Sequence, residues 1–230
     1  MPYRERATGL PGVVLWQDDA GAAPPPTRIL PDGCLDLIWD GSRLHAAGPD
    51  TSARLHQSPA GASYAALRLS GGTGPALLGV PADALRDAGP ALEELWPAAP
   101  ARQLTEQVAA DPAGALRAWA AGRLASREVD VLGPRVLAMA AAGTPVAVMA
   151  DRLGLSPRQL HRRCLPVFGY GPRLLARVLR LHRALDQARA GTPLVRVAAD
   201  CGYADQAHLS REVRALAGTT PRDLLGLGRG

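Results

Sequence analysis

Apolar residues recur at helical spacing twice in the last hundred positions of the chain, and the two stretches are copies of one another. Residues 143–154 read GTPVAVMADRLG; residues 191–202, forty-eight positions on, read GTPLVRVAADCG. In the first, Val146, Met149, Ala150 and Leu153 fall on one helical face. In the second, Leu194, Val197, Ala198 and Cys201 do the same. Each run opens with Thr-Pro, which predicts a threonine N-cap with proline as the first helical residue. Each closes on a glycine, Gly154 or Gly202, suited to the left-handed turn that stops a helix.

A second helix follows each turn. In LSPRQLHRRCLPVFG, Ser156 is the expected cap and Leu160, Cys164 and Phe168 recur at i, i+4, i+8. In YADQAHLSREVRALAG the cap is Asp205, and Leu209, Val213 and Ala217 hold the same spacing at an offset of forty-nine. GYGP and GTTP end the two helices alike. Helix, tight glycine turn and a second helix with a polar, Arg-bearing outer face make a helix-turn-helix, present twice. Between the copies, PRLLARVLRLHRALDQARAG has unbroken helical periodicity. Its roughly 18 residues form a rod of about 27 Å. That is of the order of one DNA turn, ~34 Å, between two recognition helices on one face of a duplex.

The first half reads differently. CLDLIW is a near-alternating strand after the turn Pro31-Asp32-Gly33, and a turn at Asp40-Gly41 leads into RLHAAG, which predicts a β-hairpin. SYAALRLSGG reads as a further strand, GVPADALRDAGPALEELW as short helical turns, residues 112–127 as a helix, and SREVDVLGP as a join. The fold class is therefore α+β in two domains. A small antiparallel β-rich domain with flanking helices spans 1–128. An all-α double helix-turn-helix spans 131–230, with units at about 144–168 and 192–217 joined by a linking helix at about 172–190.

Charge follows the same division. Residues 1–130 hold 11 Arg against 15 acidic residues; residues 131–230 hold 15 Arg against 6. A basic half attached to a mildly acidic one is what a polyanion-binding module on a partner domain requires. No window approaches the roughly 18 uninterrupted apolar residues of a membrane span, and the N-terminus lacks the apolar block of a secretory signal. Cys34, Cys164 and Cys201 are too few and too scattered for a disulfide framework or a four-ligand zinc site. A cytoplasmic protein without a membrane, metal or cofactor is expected.

From about Val131 onward the chain resembles the DNA-binding domain of the AraC/XylS family of bacterial transcription regulators. The resemblance rests on Ala150–Gly154, LSPRQLHRR, Arg180-Leu181-x-x-Ala184 and AADCGYADQAHLSREVRALAGTTPRDL. Where the family usually has phenylalanine this chain has Leu209, Val213 and Cys164, so its cores are less aromatic. Pro31-Asp32-Gly33, followed by Asp36-Leu37-Ile38, Gly48-Pro49 and LLGVPADALRD, resembles an uncharacterised N-terminal domain attached to AraC-type regulators. What the resemblance implies is a sequence-specific transcription regulator with a regulatory or oligomerisation domain in front. Its partners would be double-stranded DNA and RNA polymerase, with a small-molecule effector in the N-terminal domain and a homodimer as further candidates.

With Leu160 and Cys164 facing inward, Arg158, His161 and Arg162 lie outward on one stripe, with Gln159 and Arg163 at its margins. By the resemblance, Arg158, His161 and Arg162 stand where the family's groove-reading side chains usually are. In the second unit Gln206, Ala207, Ser210 and Arg211 are the outward set, flanked by His208. Arginine suits guanine and glutamine suits adenine in a major groove. Arg173, Arg177 and Arg222, near helix ends, suit phosphates. The bland alternative for each is a solvated helix face.

An enzyme in the first half finds little support. His45 and His56 lack ligand spacing, Asp32, Asp36 and Asp40 suit turns and strand edges better than an acid–base pair, and Cys34 reads as a small half-buried hydrophobe. No nucleophile elbow, P-loop or dinucleotide fingerprint is present, so no catalytic residue is assigned. The competing class is a ligand-binding or enzymatic N-terminal domain with a basic half that holds nucleic acid non-specifically. Such a tail needs charge but no paired scaffold.

Overall fold

Seven strands come before the first long helix: β1 (Arg4–Ala7), β2 (Val13–Asp19), β3 (Thr27–Ile29), β4 (Leu35–Trp39), β5 (Leu44–Ala47), β6 (Arg54–His56) and β7 (Ser63–Leu69). The structure, a computed structural model, describes residues 3–22, 24–127 and 130–226. Glu128 and Val129, in the expected join, and the last four residues of the expected C-terminal domain lie outside the described residues. Five strands form an antiparallel sheet in the order β1-β2-β7-β4-β5, and β3 pairs with β6 in a separate ribbon.

Alternation along the strands decides which sheet face is buried. Leu15 and Leu37 both pair with Leu67 across the middle of the sheet. With Val13, Leu35, Trp39, Leu44 and Leu69 they enter one core. The opposite face carries charge. Arg68 of β7 lies between Glu5, at 2.6 Å, Asp32 at 3.4 Å and Asp36 at 3.6 Å. Burial pushes the Asp36 carboxyl up to about 7, against the pull of Arg68. Asp32 and Asp40 do turn work: Asp32 accepts from the Cys34 amide, and Asp40 from the amides of Ser42 and Arg43.

The helices are α1 (Thr73–Leu78), α2 (Leu92–Leu95), α3 (Ala98–Ala110), α4 (Pro112–Ala125), α5 (Leu132–Ala141), α6 (Val146–Arg152), α7 (Pro157–Phe168), α8 (Pro172–Arg189), α9 (Leu194–Asp200), α10 (Gln206–Ala217) and α11 (Pro221–Leu224). A 3-10 turn at Ala82–Ala84 precedes α2. Leu77, Leu78, Leu92, Leu104, Val108 and Leu116 close the first core from the helical side. Two further cores lie in the C-terminal half, one around Met149, Leu160, Cys164 and Phe168, the other around Val197, Leu209, Val213 and Leu216. The architecture is the expected α+β: a small antiparallel β-rich part with flanking helices, then an all-α part with two helix pairs joined by α8.

Several local expectations change. The hairpin is β4–β5, as expected; the ribbon of β3 with β6 had no signal in the sequence. Pro145 and Pro193 take the cap position, extended at ψ 141° and 138°, without a side-chain cap bond from the threonines. Each helix therefore starts one residue later, as the missing proline N–H allows. Strands β1 and β2 and helices α1, α3 and α5 had no distinct signal. Helix α3 has five alanines, all in its first and last turns, and alanine marks neither a buried nor an exposed face.

Candidate DNA-binding surface

The two helix-turn-helix units close their turns with the same backbone bond. The Leu155 amide donates to the Ala150 carbonyl at 2.9 Å, and the Tyr203 amide donates to the Ala198 carbonyl at 2.8 Å. This six-to-one closure requires a left-handed residue between, supplied by Gly154 at φ 65° and Gly202 at φ 74°. Ala150 and Ala198 are buried where the first helix of each pair crosses the second.

Caps then orient the second helices. The Ser156 hydroxyl accepts from the Gln159 amide, and Gln159 Oε1 accepts from the Ser156 amide at 2.8 Å, a complete capping box. At α10 the Asp205 carboxylate accepts from the His208 amide at 2.6 Å, while His208 Nδ1 accepts from the Ala204 amide at 3.2 Å. Leu160, Cys164, Val167 and Phe168 face the first unit's core. Leu209, Val213, Leu216 and Ala217, each forty-nine positions on, face the second's. Burial alone pushes the Cys164 thiol up to about 12. Burial first, then Asp200, raises Cys201 against the pull of Arg183 and Arg180, so neither is an activated thiolate.

Of the residues assigned to DNA, Arg158, His161, Arg162 and Arg163 stand together on the exposed face of α7, and Gln206, Ala207 and Arg211 on that of α10. Arg158, Arg162, Arg163 and Arg211 make no side-chain hydrogen bond or ion pair within the described chain. Four other assigned side chains are already employed by the fold. Gln159 and His208 close the caps. The Ser210 hydroxyl donates to the Gln206 carbonyl at 2.9 Å. Arg177, assigned to phosphate, grips Glu212 with two parallel bonds of 2.9 and 2.8 Å. Hydrogen bonding from Arg177 holds the Glu212 carboxyl below its usual range. Arg173 and Arg222 are exposed and have no partner among the described residues.

Sequence reading missed the clamp behind the second unit. Arg180 lies over the Tyr203 ring at 4.4 Å, reaches Glu212 at 3.4 Å and donates toward the Gly202 carbonyl. The signal available was Glu212 itself, an acid where the first copy has Arg163.

Among the described residues there is no group of three or more His, Cys, Asp or Glu able to hold a metal, and no helix long and apolar enough to cross a membrane.

A helix-turn-helix domain model matches residues 149–226, and a domain of unknown function (DUF6597) matches residues 13–89. No curated protein matches the chain. Among solved structures the chain is similar to a probable AraC family transcriptional regulator from Rhodopseudomonas palustris, at 22% identity over 44% of this chain and 100% of that one, with a TM-score of 0.38. It is also similar to ToxT from Vibrio cholerae, at 11% identity over 95% and 99% of the two chains, TM-score 0.49. A third similar structure is ToxT bound to an unsaturated fatty acid, at 12% identity over 94% and 95%, TM-score 0.48. The chain is a DNA-binding transcription regulator. More particularly it joins an AraC-type helix-turn-helix domain to the domain of unknown function.

Proposed function

We propose that α7 and α10 each enter a major groove, on successive segments of one duplex. Arg158, His161 and Arg162 read bases from the first helix, with Arg163 at the margin, and Gln206, Ala207 and Arg211 read from the second. Arg173 and Arg222 hold phosphates. The observation that carries this reading is the equivalence of Arg162 and Arg211. Each is the sixth residue of a twelve-residue helix, exposed and unpaired, in a fold that ties up other arginines. An arginine left free at the same place in two copies is what bidentate guanine contact needs. Selection of bound duplexes from random DNA tests it. The wild type should yield two conserved segments; Arg162→Ala should relax one base position in one segment and Arg211→Ala one in the other. Uniform losses without altered preference would reduce the surface to a non-specific polyanion patch.

In this reading residues 1–128 are the regulatory domain and 131–230 the DNA-binding domain, acting in the cytoplasm on promoters served by RNA polymerase. A small-molecule effector is favoured by one feature. A cavity of about 820 Å³ lies between the N-terminal part and α5, lined by Leu10, Leu124, Pro134, Leu137 and Ala138, with Ser70 and Thr73 as its hydroxyl-bearing residues. Its volume falls in the range of small-molecule sites, and no charged side chain among the described residues lines it. The occupant would be an uncharged apolar molecule with one hydroxyl or carbonyl. Decanol should raise the melting temperature of the wild type and not that of Ala138→Trp, which fills the cavity; equal responses would remove the site.

A further inference from the structure

We propose that the N-terminal domain is a splint for the two recognition helices: it holds their C-terminal ends at a fixed separation, with Arg28 and the loop 48–53 as its positioning elements. The inference rests on the reading that both helices contact DNA.

The need for a splint follows from how little the two units touch each other. Their buried cores share no residue; only half-buried Leu174 of α8 packs against both. The linking helix enters both cores, with Leu175 in the first and Val178, Leu181 and Leu185 in the second. The two units therefore bear on each other through α8, and a second tie across their far ends would fix their relative angle.

The N-terminal domain grips both units at the same repeat position. At the end of α7, Phe168 lies against Gly71, where a Cβ would overlap its ring, and Pro49 packs on Gly169. Arg86 Nη1 donates toward the Gly169 carbonyl. Forty-nine positions later, at the end of α10, the Ala53 amide donates to the Leu216 carbonyl at 2.7 Å, and Arg28 Nη1 to the Ala217 carbonyl at 2.8 Å. These carbonyls belong to the last turn of a helix and lack partners inside it, and a cation there also meets the negative end of the helix dipole. Between the two grips, His182 Nε2 of α8 meets the Pro31 carbonyl at 2.7 Å. Pro49 and Ala53, which touch the ends of different recognition helices, are four residues apart, at most about 14 Å of chain. One short loop therefore ties both ends together.

The grip leaves the DNA-facing side open. Arg158, Arg162 and Arg211 are exposed, so the domain braces the pair from behind instead of covering it. Loosening the brace should weaken recognition that needs both helices together and leave recognition by either one alone.

The full-length protein tests this on a duplex selected by the wild type. Companion duplexes have either the α7 or the α10 segment scrambled, or the spacer between them changed by one base pair. Arg28→Ala should bind the intact duplex about tenfold more weakly, bind the scrambled duplexes as the wild type does, and lose the wild-type penalty for a changed spacer. Arg28→Lys keeps a donor and a charge and should restore most of the affinity. Unchanged affinity and spacer preference in Arg28→Ala would overturn the splint, as would an equal loss on intact and scrambled duplexes. If Arg28→Ala fails to fold, Ala53→Pro, which removes the amide donor to Leu216, carries the same measurements. Failure of the two-helix reading is distinguishable, because scrambling one segment would then leave wild-type binding unchanged.

Discussion

In the first helix-turn-helix the sixth and seventh residues of the recognition helix are Arg162 and Arg163; in the second, the same positions hold Arg211 and Glu212. That one difference divides the labour. Glu212 draws Arg177 and Arg180 out of solvent and uses them to fasten the linking helix to the second unit. Among the described residues the first unit has no acid-centred clamp: Arg183 of the linking helix donates to the Ala141 carbonyl at 2.9 Å, and Arg158, Arg162 and Arg163 stay free. It is fastened instead by Phe168, the chain's single phenylalanine, against the sheet domain. A repeated scaffold thus shows which residues build it and which are spare. Positions alike in both copies, such as the alanine and glycine of the turn, are structural, apart from the arginine pair, which nothing in the fold employs.

The largest way to break the comparison is Phe168→Ala. It should cost about 3–5 kcal/mol of stability, read by denaturant unfolding, although the matching Ala217 is the native residue in the second copy. Next come the paired arginines. Arg162→Ala and Arg211→Ala should each cost about 1–3 kcal/mol on the cognate duplex and relax one base position, whereas Arg173→Ala should weaken all sequences alike and lower the salt slope by about one. Glu212→Gln sharpens the contrast through pH. The native carboxyl titrates below its ordinary 4.5 because Arg177 donates to it. Its contribution is full above that value and is lost as pH falls through the lower folded pKa. Wild type and Glu212→Gln should therefore differ in stability at neutral pH and converge in acid; a constant difference down to pH ~2 would contradict the clamp. The smallest effects belong to Gln159→Ala and His208→Ala. Each should lose roughly 0.5–1 kcal/mol of stability as a capping partner, with base preference in DNA selection unchanged.

Much of this was legible in the chain. Periodicity, caps and glycines place α6, α7, α9 and α10 to within a residue, because each signal is local and each appears twice. The strand at Leu35–Trp39 and its hairpin were legible for the same reason. Helices α1, α3 and α5 were not: they are rich in alanine or interrupted by glycine and proline, and only packing against a neighbour decides them. Of the residues assigned to DNA, sequence separated outward from inward. It could not separate a free arginine from one held by an acid thirty-five positions away, as Arg177 is by Glu212.

The sequence by itself determined the paired helix-turn-helix, its basic surface and the equivalence of Arg162 with Arg211, since these rest on spacing, caps and turns within a few residues. Only the tertiary structure decided that Gln159, His208, Ser210 and Arg177 serve the fold, and that one N-terminal loop reaches the ends of both recognition helices. Those outcomes depend on contacts between residues far apart in the chain, and no local pattern encodes which distant partner a side chain will meet.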